Sequence, residues 1–243
     1  MKTAREHFSK IKKKYINFLK KQEAFGEPFY DKIGQLKKFY LPICSLIFQN
    51  YNNNKKKTLV VGLSGGQGSG KTTITRIIKL ILTNNYNLNI VSFSIDDFYK
   101  TYSERLSVSK KVHKLFLTRG VPGTHDIRLL KKTFKYLLRN KFKTFYIPKF
   151  DKSIDDRFPK NQWTKIKKKP DVVIFEGWCV GARHQVSINL KNPINSLEKN
   201  YDKKMIWRKK VNNELKSSYK SVFKLIDNLI FLAVPSFKYV YKW

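Results

Sequence analysis

Hydrophobic residues in the first part of the chain recur at helical spacing. Between residues 8 and 19 they lie three or four positions apart, with lysines between them, which predicts an amphipathic helix over residues 1 to about 25. Gly26 and Pro28 end this pattern, and Pro42 stands where a further helix would begin. The apolar positions of the first helix are Phe8, Ile11, Tyr15, Phe18 and Leu19.

Four short apolar runs predict the strands of a sheet. They lie at residues 59–63, 89–93, 171–177 and 227–234. Segments with helical periodicity separate them, so the chain reads as an α/β protein with a doubly wound parallel sheet. A polar stretch precedes the first run. We therefore expect a helical N-terminal extension, residues 1–56, and a core domain, residues 57–243.

A glycine-rich segment follows the first predicted strand and opens the next helix. Its sequence fits G-x-x-x-x-G-K-[ST], and the strand–loop–helix context predicts a phosphate-binding P-loop for ATP. Glycines let backbone N–H groups surround a phosphate, Lys71 would reach the β- and γ-phosphates, and Thr72 would ligate Mg²⁺. The predicted nucleotide-binding residues are Gly65, Gly66, Gln67, Gly68, Ser69, Gly70, Lys71, Thr72 and Thr73.

Acidic residues end two of the other predicted strands. Asp96 and Asp97 follow the second strand, and Glu176 closes the strand at 171–177. The carboxyl ends of parallel strands form the ligand-binding edge of an open α/β sheet. A carboxylate there can accept the proton of an acceptor hydroxyl, and another can orient Mg²⁺.

The turn Arg119–Asp126 precedes an amphipathic helix. Asp126 is well placed as the N-cap of that helix. His125 lies in a glycine-rich turn rather than on an apolar face, so we favour a substrate contact for it.

The charge balance is strongly basic. The 243 residues carry 51 Lys and Arg against 17 Asp and Glu, a formal net charge of +34. Only nine of the basic residues are arginines, and the lysines are spread along the chain. Proteins that read nucleic acids rely on arginine, so we interpret the charge as a solvated lysine surface and expect no specific nucleic-acid partner.

The remaining composition predicts a cytoplasmic protein. Cys44 and Cys179 are far apart, which indicates neither a disulfide framework nor a zinc site. No apolar run follows the N-terminus, and none reaches membrane-spanning length, so we expect no signal peptide and no membrane partner.

Several stretches together resemble the D-glycerate 3-kinases, a branch of the phosphoribulokinase, uridine kinase and pantothenate kinase superfamily of P-loop kinases. The similar stretches cover the chain from about residue 25 to its end. The most specific are S-I-D-D-F-Y and R-G-x-P-G-T-H-D. The similar stretches are 65–73, 94–99, 119–126, 148–153 with Arg157, 171–177, 195–198, 207–208 and 235–243.

The resemblance implies transfer of the γ-phosphate of ATP to a small anionic hydroxy acid, above all D-glycerate, giving 3-phosphoglycerate. It implies that Asp96 is the general base and contacts the acceptor, that Lys71 takes part in catalysis, and that Thr72 and Glu176 hold Mg²⁺, with Asp97 as a second metal-binding or orienting acid. The cationic groups implied around the acceptor are Arg119, His125, Lys152 and Arg157.

Related kinases continue beyond this sequence with a lid, a last strand and a helix, and the tryptophan that introduces the lid corresponds to Trp243. We therefore expect a chain truncated at its C-terminus, with impaired turnover. Three other hypotheses stay open: a kinase for another alcohol, such as uridine or pantothenate, a nucleic-acid-stimulated P-loop ATPase, and an inactive, truncated kinase relative that only binds nucleotide. The sequence does not predict an oligomeric state.

Overall fold

The computed structural model describes residues 4–24, 26, 28–54 and 58–234. Within them, helices α1 to α9 span Ala4–Glu23, Lys32–Gln35, Leu41–Asn53, Lys71–Tyr86, Tyr102–Lys111, Ile127–Leu137, Ser196–Tyr201, Ile206–Glu214 and Lys220–Phe223. Strands β1 to β8 span Leu59–Gly65, Ile90–Ser94, Phe145–Ile147, Phe150–Asp151, Asp156–Arg157, Thr164–Ile166, Val172–Gly177 and Asn228–Leu232. Single π-helical turns at Leu36–Tyr40 and Leu215–Tyr219 continue into α3 and α9.

The central sheet has four parallel strands in the order β2–β7–β1–β8. Strands β1 and β7 lie in its middle, and every residue of both is buried, as expected for strands covered on both faces. The register pairs Leu63 with Glu176 and Glu176 with Ser94. The carboxyl ends of β1, β7 and β2 therefore lie side by side.

Two hydrophobic cores cover the two faces of this sheet. Leu59, Val61 and Leu63 of β1 pack with α1, α3 and α4 in what we call the α4-side core. Val60 points to the other face and packs with α6 and the segment 215–226 in the α6-side core. Alternate residues of one strand thus serve opposite cores, which confirms the doubly wound α/β prediction.

Two small antiparallel ribbons stand outside the central sheet. Strands β3 and β6 pair with each other, as do β4 and β5. The β4–β5 hairpin carries Lys152 in its turn. These ribbons connect α6 to β7 and place a charged loop beside the carboxyl edge of the central sheet.

The predicted N-terminal helices are present and share the α4-side core with β1. The domain boundary near residue 56 stays a prediction, and the expected helix start at residues 237–243 lies outside the described residues. None of the helices in the described ranges combines the length and apolar character needed to cross a bilayer.

The shared core gives a test of how α1 contributes to stability. Ile11 is fully buried against α4-side residues, so Ile11→Ala should lower the free energy of unfolding by about 2–5 kcal/mol. Urea unfolding followed by circular dichroism measures this. Lys13→Ala on the exposed face of the same helix is the matched control and should change stability little. Equal stabilities of the two variants would show that α1 does not pack as described.

Candidate active site

The glycine-rich loop connects the end of β1 to the start of α4. Gly68 and Gly70 have φ angles of 73° and 77°, a left-handed conformation that favours glycine. A Cβ on Gly65 would lie 2.7 Å from Oγ of Ser69, so a larger residue would displace the loop. The backbone is thus built as the P-loop motif requires, ahead of the N-terminus of α4.

Lys71 lies over this loop. Its Nζ donates hydrogen bonds to the carbonyl oxygens of Gly65, at 2.9 Å, and Gly66, at 2.6 Å. Partial burial lowers the pKa of Lys71, while the nearby carboxylates of Glu176 and Asp96 act against that shift. These two carboxylates therefore favour the charged ammonium that phosphate binding requires.

Thr72 and Glu176 lie side by side at the start of α4 and the end of β7. The hydroxyl of Thr72 donates to Oε1 of Glu176 at 3.5 Å. Burial raises the pKa of Glu176, and Lys71 opposes this shift. A hydroxyl next to a carboxylate fits Mg²⁺, which takes few protein oxygens and completes its shell with phosphates and water. Within the described ranges, His, Cys, Asp and Glu side chains form no cluster of three that could hold a metal.

Asp96 lies in the short 3₁₀ helix Ile95–Phe98 that follows β2. Its Oδ1 accepts a hydrogen bond from the hydroxyl of Tyr99 at 2.9 Å. Its Oδ2 forms an ion pair with Nζ of Lys152, also at 2.9 Å. Both oxygens of this carboxylate are therefore engaged by side chains.

Asp97 performs a structural task in the same turn. Its carboxylate accepts a hydrogen bond from the backbone N–H of Ser94, and the two residues form a capping box. Burial raises the pKa of Asp97, against hydrogen bonds from the backbone of Ser94 and Phe150. Asp97 reaches the cavity wall, and its metal-binding role stays a prediction.

Two of the predicted substrate residues, His125 and Arg157, contact Tyr99. The ring of His125 stacks on that of Tyr99, with 4.5 Å between centroids, and Nδ1 of His125 lies 2.7 Å from the Tyr219 hydroxyl. Nη2 of Arg157 donates to the backbone carbonyl of Tyr99 at 2.9 Å. Asp126 caps α6 as predicted and also pairs with Arg157. His125 and Arg157 thus both contact Tyr99, one through its ring and the other through its backbone.

Arg119 belongs to a charged cluster at the other side of the site. Its guanidinium pairs with the Asp155 carboxylate, which also pairs at 2.8 Å with the fully buried Arg105. Both guanidinium groups lie 5.7–5.8 Å from the ring of Phe150. Hydrogen bonds from Arg105 and Arg119 hold the pKa of Asp155 below its usual range, against its partial desolvation.

These groups surround a cavity of about 990 Å³ at the carboxyl edge of the sheet. The predicted residues that line it are Gln67, Gly68, Lys71, Thr72, Asp96, Asp97, Arg119, Lys152 and Glu176. His125 and Arg157 are not among the lining residues. His125 is only 1% exposed, so its predicted substrate contact is not direct in this structure.

Sequence reasoning did not single out Tyr99, Asp155 or Arg105. The contact of Tyr99 with Asp96 could have been predicted, because the two residues are three positions apart and a single helical turn brings such positions together. No such local relation links Arg105 and Asp155. They are fifty positions apart, and only the fold brings them into contact.

A comparison with protein-family models finds one that matches this chain. The model described as the phosphoribulokinase / uridine kinase family matches residues 60–208, more than half of the chain. The chain belongs to this family. The matched region contains the P-loop, the strand-end acids Asp96, Asp97 and Glu176, and all the charged groups that line the cavity.

Individual relatives within the family are kinases by name. The chain is 34% identical over 195 residues to "Uncharacterized kinase mug58" of Schizosaccharomyces pombe, covering 77% of this chain and 69% of that protein. It is 28% identical to the chloroplastic D-glycerate 3-kinase of Arabidopsis thaliana, covering 76% of this chain but only 40% of the relative.

A solved structure shares the fold. It is described as D-glycerate 3-kinase from Cryptococcus neoformans var. grubii, with a TM-score of 0.70 and 24% sequence identity. The match covers 84% of this chain and 76% of that one. At this level of identity the likeness concerns the fold, and it supports the P-loop kinase architecture of the described residues.

The buried position of His125 predicts an acid-sensitive fold. Burial lowers its pKa from 6.5 to about 3, so between these values the unfolded chain binds a proton that the folded chain does not. Stability should therefore fall as the pH falls, by about 2 kcal/mol between pH 7 and pH 5 for this group alone.

Urea unfolding at both pH values measures this loss. His125→Phe keeps a ring against Tyr99 and should lack that part of the pH dependence, whatever its absolute stability. His184→Phe alters an exposed histidine and should retain it. The same pH dependence in all three proteins would contradict the assignment.

Proposed function

We propose that this protein transfers the γ-phosphate of ATP to a hydroxyl group of a small anionic hydroxy acid, with D-glycerate as the acceptor and 3-phosphoglycerate as the product. One observation carries the proposal: the P-loop residues Lys71 and Thr72 and the carboxylate of Asp96 face one cavity, whose wall also carries Arg119 and Lys152. A loop suited to a phosphate donor, a candidate base and cationic side chains for an anionic acceptor thus line the same cavity.

The nucleotide end of the cavity would be formed by the P-loop. Backbone N–H groups at the start of α4 would bind the phosphates, and Lys71 would exchange its carbonyl partners for phosphate oxygens. Thr72 and Glu176 would hold Mg²⁺, the latter directly or through water. The ion would neutralise charge that develops on the phosphates during transfer.

Asp96 would act on the acceptor. Its carboxylate would orient the hydroxyl group and take its proton as the oxygen bonds to the γ-phosphorus. The Tyr99 hydroxyl fixes the direction of this carboxylate through Oδ1. Tyr99 is in turn held by His125 and Arg157, which gives these two residues a role in catalysis without contact with the substrate.

The cations on the cavity wall support an anionic acceptor. Lys152 and Arg119 both present positive groups to the same space as Asp96. A guanidinium is well suited to a carboxylate, because it offers paired N–H donors in one plane. D-Glycerate as the acceptor rests on the named relatives and on this charge. The chain spans less than half of the glycerate kinase of Arabidopsis thaliana.

The proposal predicts ADP formation that depends on the acceptor. With Mg²⁺ and ATP, D-glycerate should produce ADP well above the level seen with uridine, pantothenate, RNA or no acceptor. Lys71→Ala should reduce the rate by about 10²-fold or more, because the lysine stabilises the charge on the transferred phosphate. A coupled ADP assay measures this, with mass spectrometry of the product.

Lys79→Ala is the matched control, since Lys79 is exposed on the same helix α4. Its rate should be that of the unchanged protein. ADP formation driven by uridine or pantothenate would move the acceptor to another alcohol. Formation driven by RNA would reject the metabolite kinase.

The role of Asp96 gives a separate prediction. Asp96→Asn should lower kcat by about 10²- to 10⁴-fold, the range of a lost general base, while ATP binding is kept. Calorimetric titration with ATP and steady-state kinetics measure the two effects. Asp31→Asn, the same exchange at a helix cap outside the site, should leave both unchanged. An active Asp96→Asn enzyme would exclude Asp96 as the base.

A further inference from the structure

Lys152 forms an ion pair with Asp96, the carboxylate that the proposed reaction needs as its base. Its Nζ lies 2.9 Å from Oδ2 of Asp96, while the Tyr99 hydroxyl bonds to Oδ1. An ammonium that donates to a carboxylate oxygen competes with any hydroxyl group for the same lone pairs. We call Asp96 masked in this arrangement, because both of its carboxylate oxygens are already bonded to side chains.

The two partners of Asp96 differ in how firmly they are held. Tyr99 is buried, stacked on His125 and bonded through its carbonyl to Arg157. The Lys152 side chain is 61% exposed, and its partners in the described part of the chain are limited to Asp96. An exposed ion pair of a long, flexible side chain is weak, so Lys152 is the partner that can be displaced.

The backbone that carries Lys152 is fixed. Asp155, at the end of the same hairpin turn, pairs with the fully buried Arg105, whose Nη2 also donates to the Asp155 carbonyl at 2.7 Å. At the start of the turn, Asp151 accepts hydrogen bonds from the backbone and hydroxyl of Ser153. Displacement of Lys152 therefore requires only a change of its side-chain rotamer.

Arg119 also lines this cavity, but its guanidinium already has a carboxylate partner. Its guanidinium pairs with Asp155, which Arg105 also contacts. The ion pair between Lys152 and Asp96 is exposed and weak, so the carboxylate of an incoming acceptor can replace Asp96 as the partner of Lys152. Movement of the ammonium from Asp96 to the acceptor would satisfy the acceptor's charge and free Oδ2 in one step.

We propose that Lys152 keeps Asp96 masked until the carboxylate of the acceptor draws the ammonium away, so that the charge of the acceptor unmasks the base. This inference rests on the proposed function of the site. In the transfer, the bond from the γ-phosphorus to the bridging oxygen of ATP breaks, a bond to the acceptor oxygen forms, and the hydroxyl proton passes to Asp96. In hydrolysis, water takes the place of the acceptor hydroxyl.

The unmasking step has two consequences. Neutral alcohols of the same size, such as glycerol, are poor acceptors because they leave Lys152 on Asp96. Water is a poor acceptor for the same reason, so ATP is spared when the acceptor is absent. Lys152 is thus a specificity-determining residue as well as a contact for the acceptor.

The test compares Lys152→Met, Lys152→Arg and the unchanged protein. Lys152→Met removes the ammonium and keeps a side chain of similar length. ATP hydrolysis without acceptor should therefore rise about fivefold or more. The preference in kcat/KM for D-glycerate over glycerol should fall about tenfold or more. Lys152→Arg keeps the charge and should keep hydrolysis low. Lys160→Met, at an exposed lysine after the same hairpin, controls for the loss of one charge.

The outcomes separate this inference from the proposed function. Increased hydrolysis in Lys152→Met alone supports the mask, even if the unchanged protein phosphorylates a different anionic acceptor. Hydrolysis that does not rise in Lys152→Met overturns the mask, whether or not D-glycerate is phosphorylated. An equal rise in Lys160→Met also overturns it, because the effect would then be one of net charge.

Discussion

The parallel register of the central sheet is the constraint on which the site depends. Backbone hydrogen bonds place Leu63 of β1 and Ser94 of β2 on either side of Glu176 of β7. The P-loop begins shortly after Leu63, and Asp96 directly follows Ser94 and Ile95. Both therefore meet Glu176 at one edge of the sheet, although more than a hundred residues separate the P-loop from Glu176. A shift of one residue in this register would turn the side chains of a strand to the opposite face.

The parts that sequence predicted are those with local causes. The P-loop depends on glycine spacing and on the residues that follow it, and the strand-end acids depend on apolar runs that stop at a charge. The sheet, the helices on both faces and the N-cap at Asp126 also follow from local periodicity and capping chemistry. The roles of these residues in catalysis stay predictions.

The parts that sequence could not predict are contacts between distant segments. A lone His125 in a glycine-rich turn is typical of a substrate contact, whereas in the structure its ring is buried against Tyr99 and Tyr219. No sequence pattern indicates the pairing of Arg105 with Asp155, because a helix and parts of the small ribbons lie between the two residues in the chain.

The two cores each contain one cysteine. Cys44 belongs to the α4-side core and Cys179 to the α6-side core, and both thiols are buried and free. Burial raises the pKa of Cys179 to about 12, and that of Cys44 also lies far above its ordinary value. Because both thiols are buried, we expect each to react only when its own face of the sheet opens. The rates at which a thiol reagent labels Cys44 and Cys179 would therefore report separately on the opening of the α4-side core and of the α6-side core. Equal rates would indicate that the two cores open together, and different rates that they open separately.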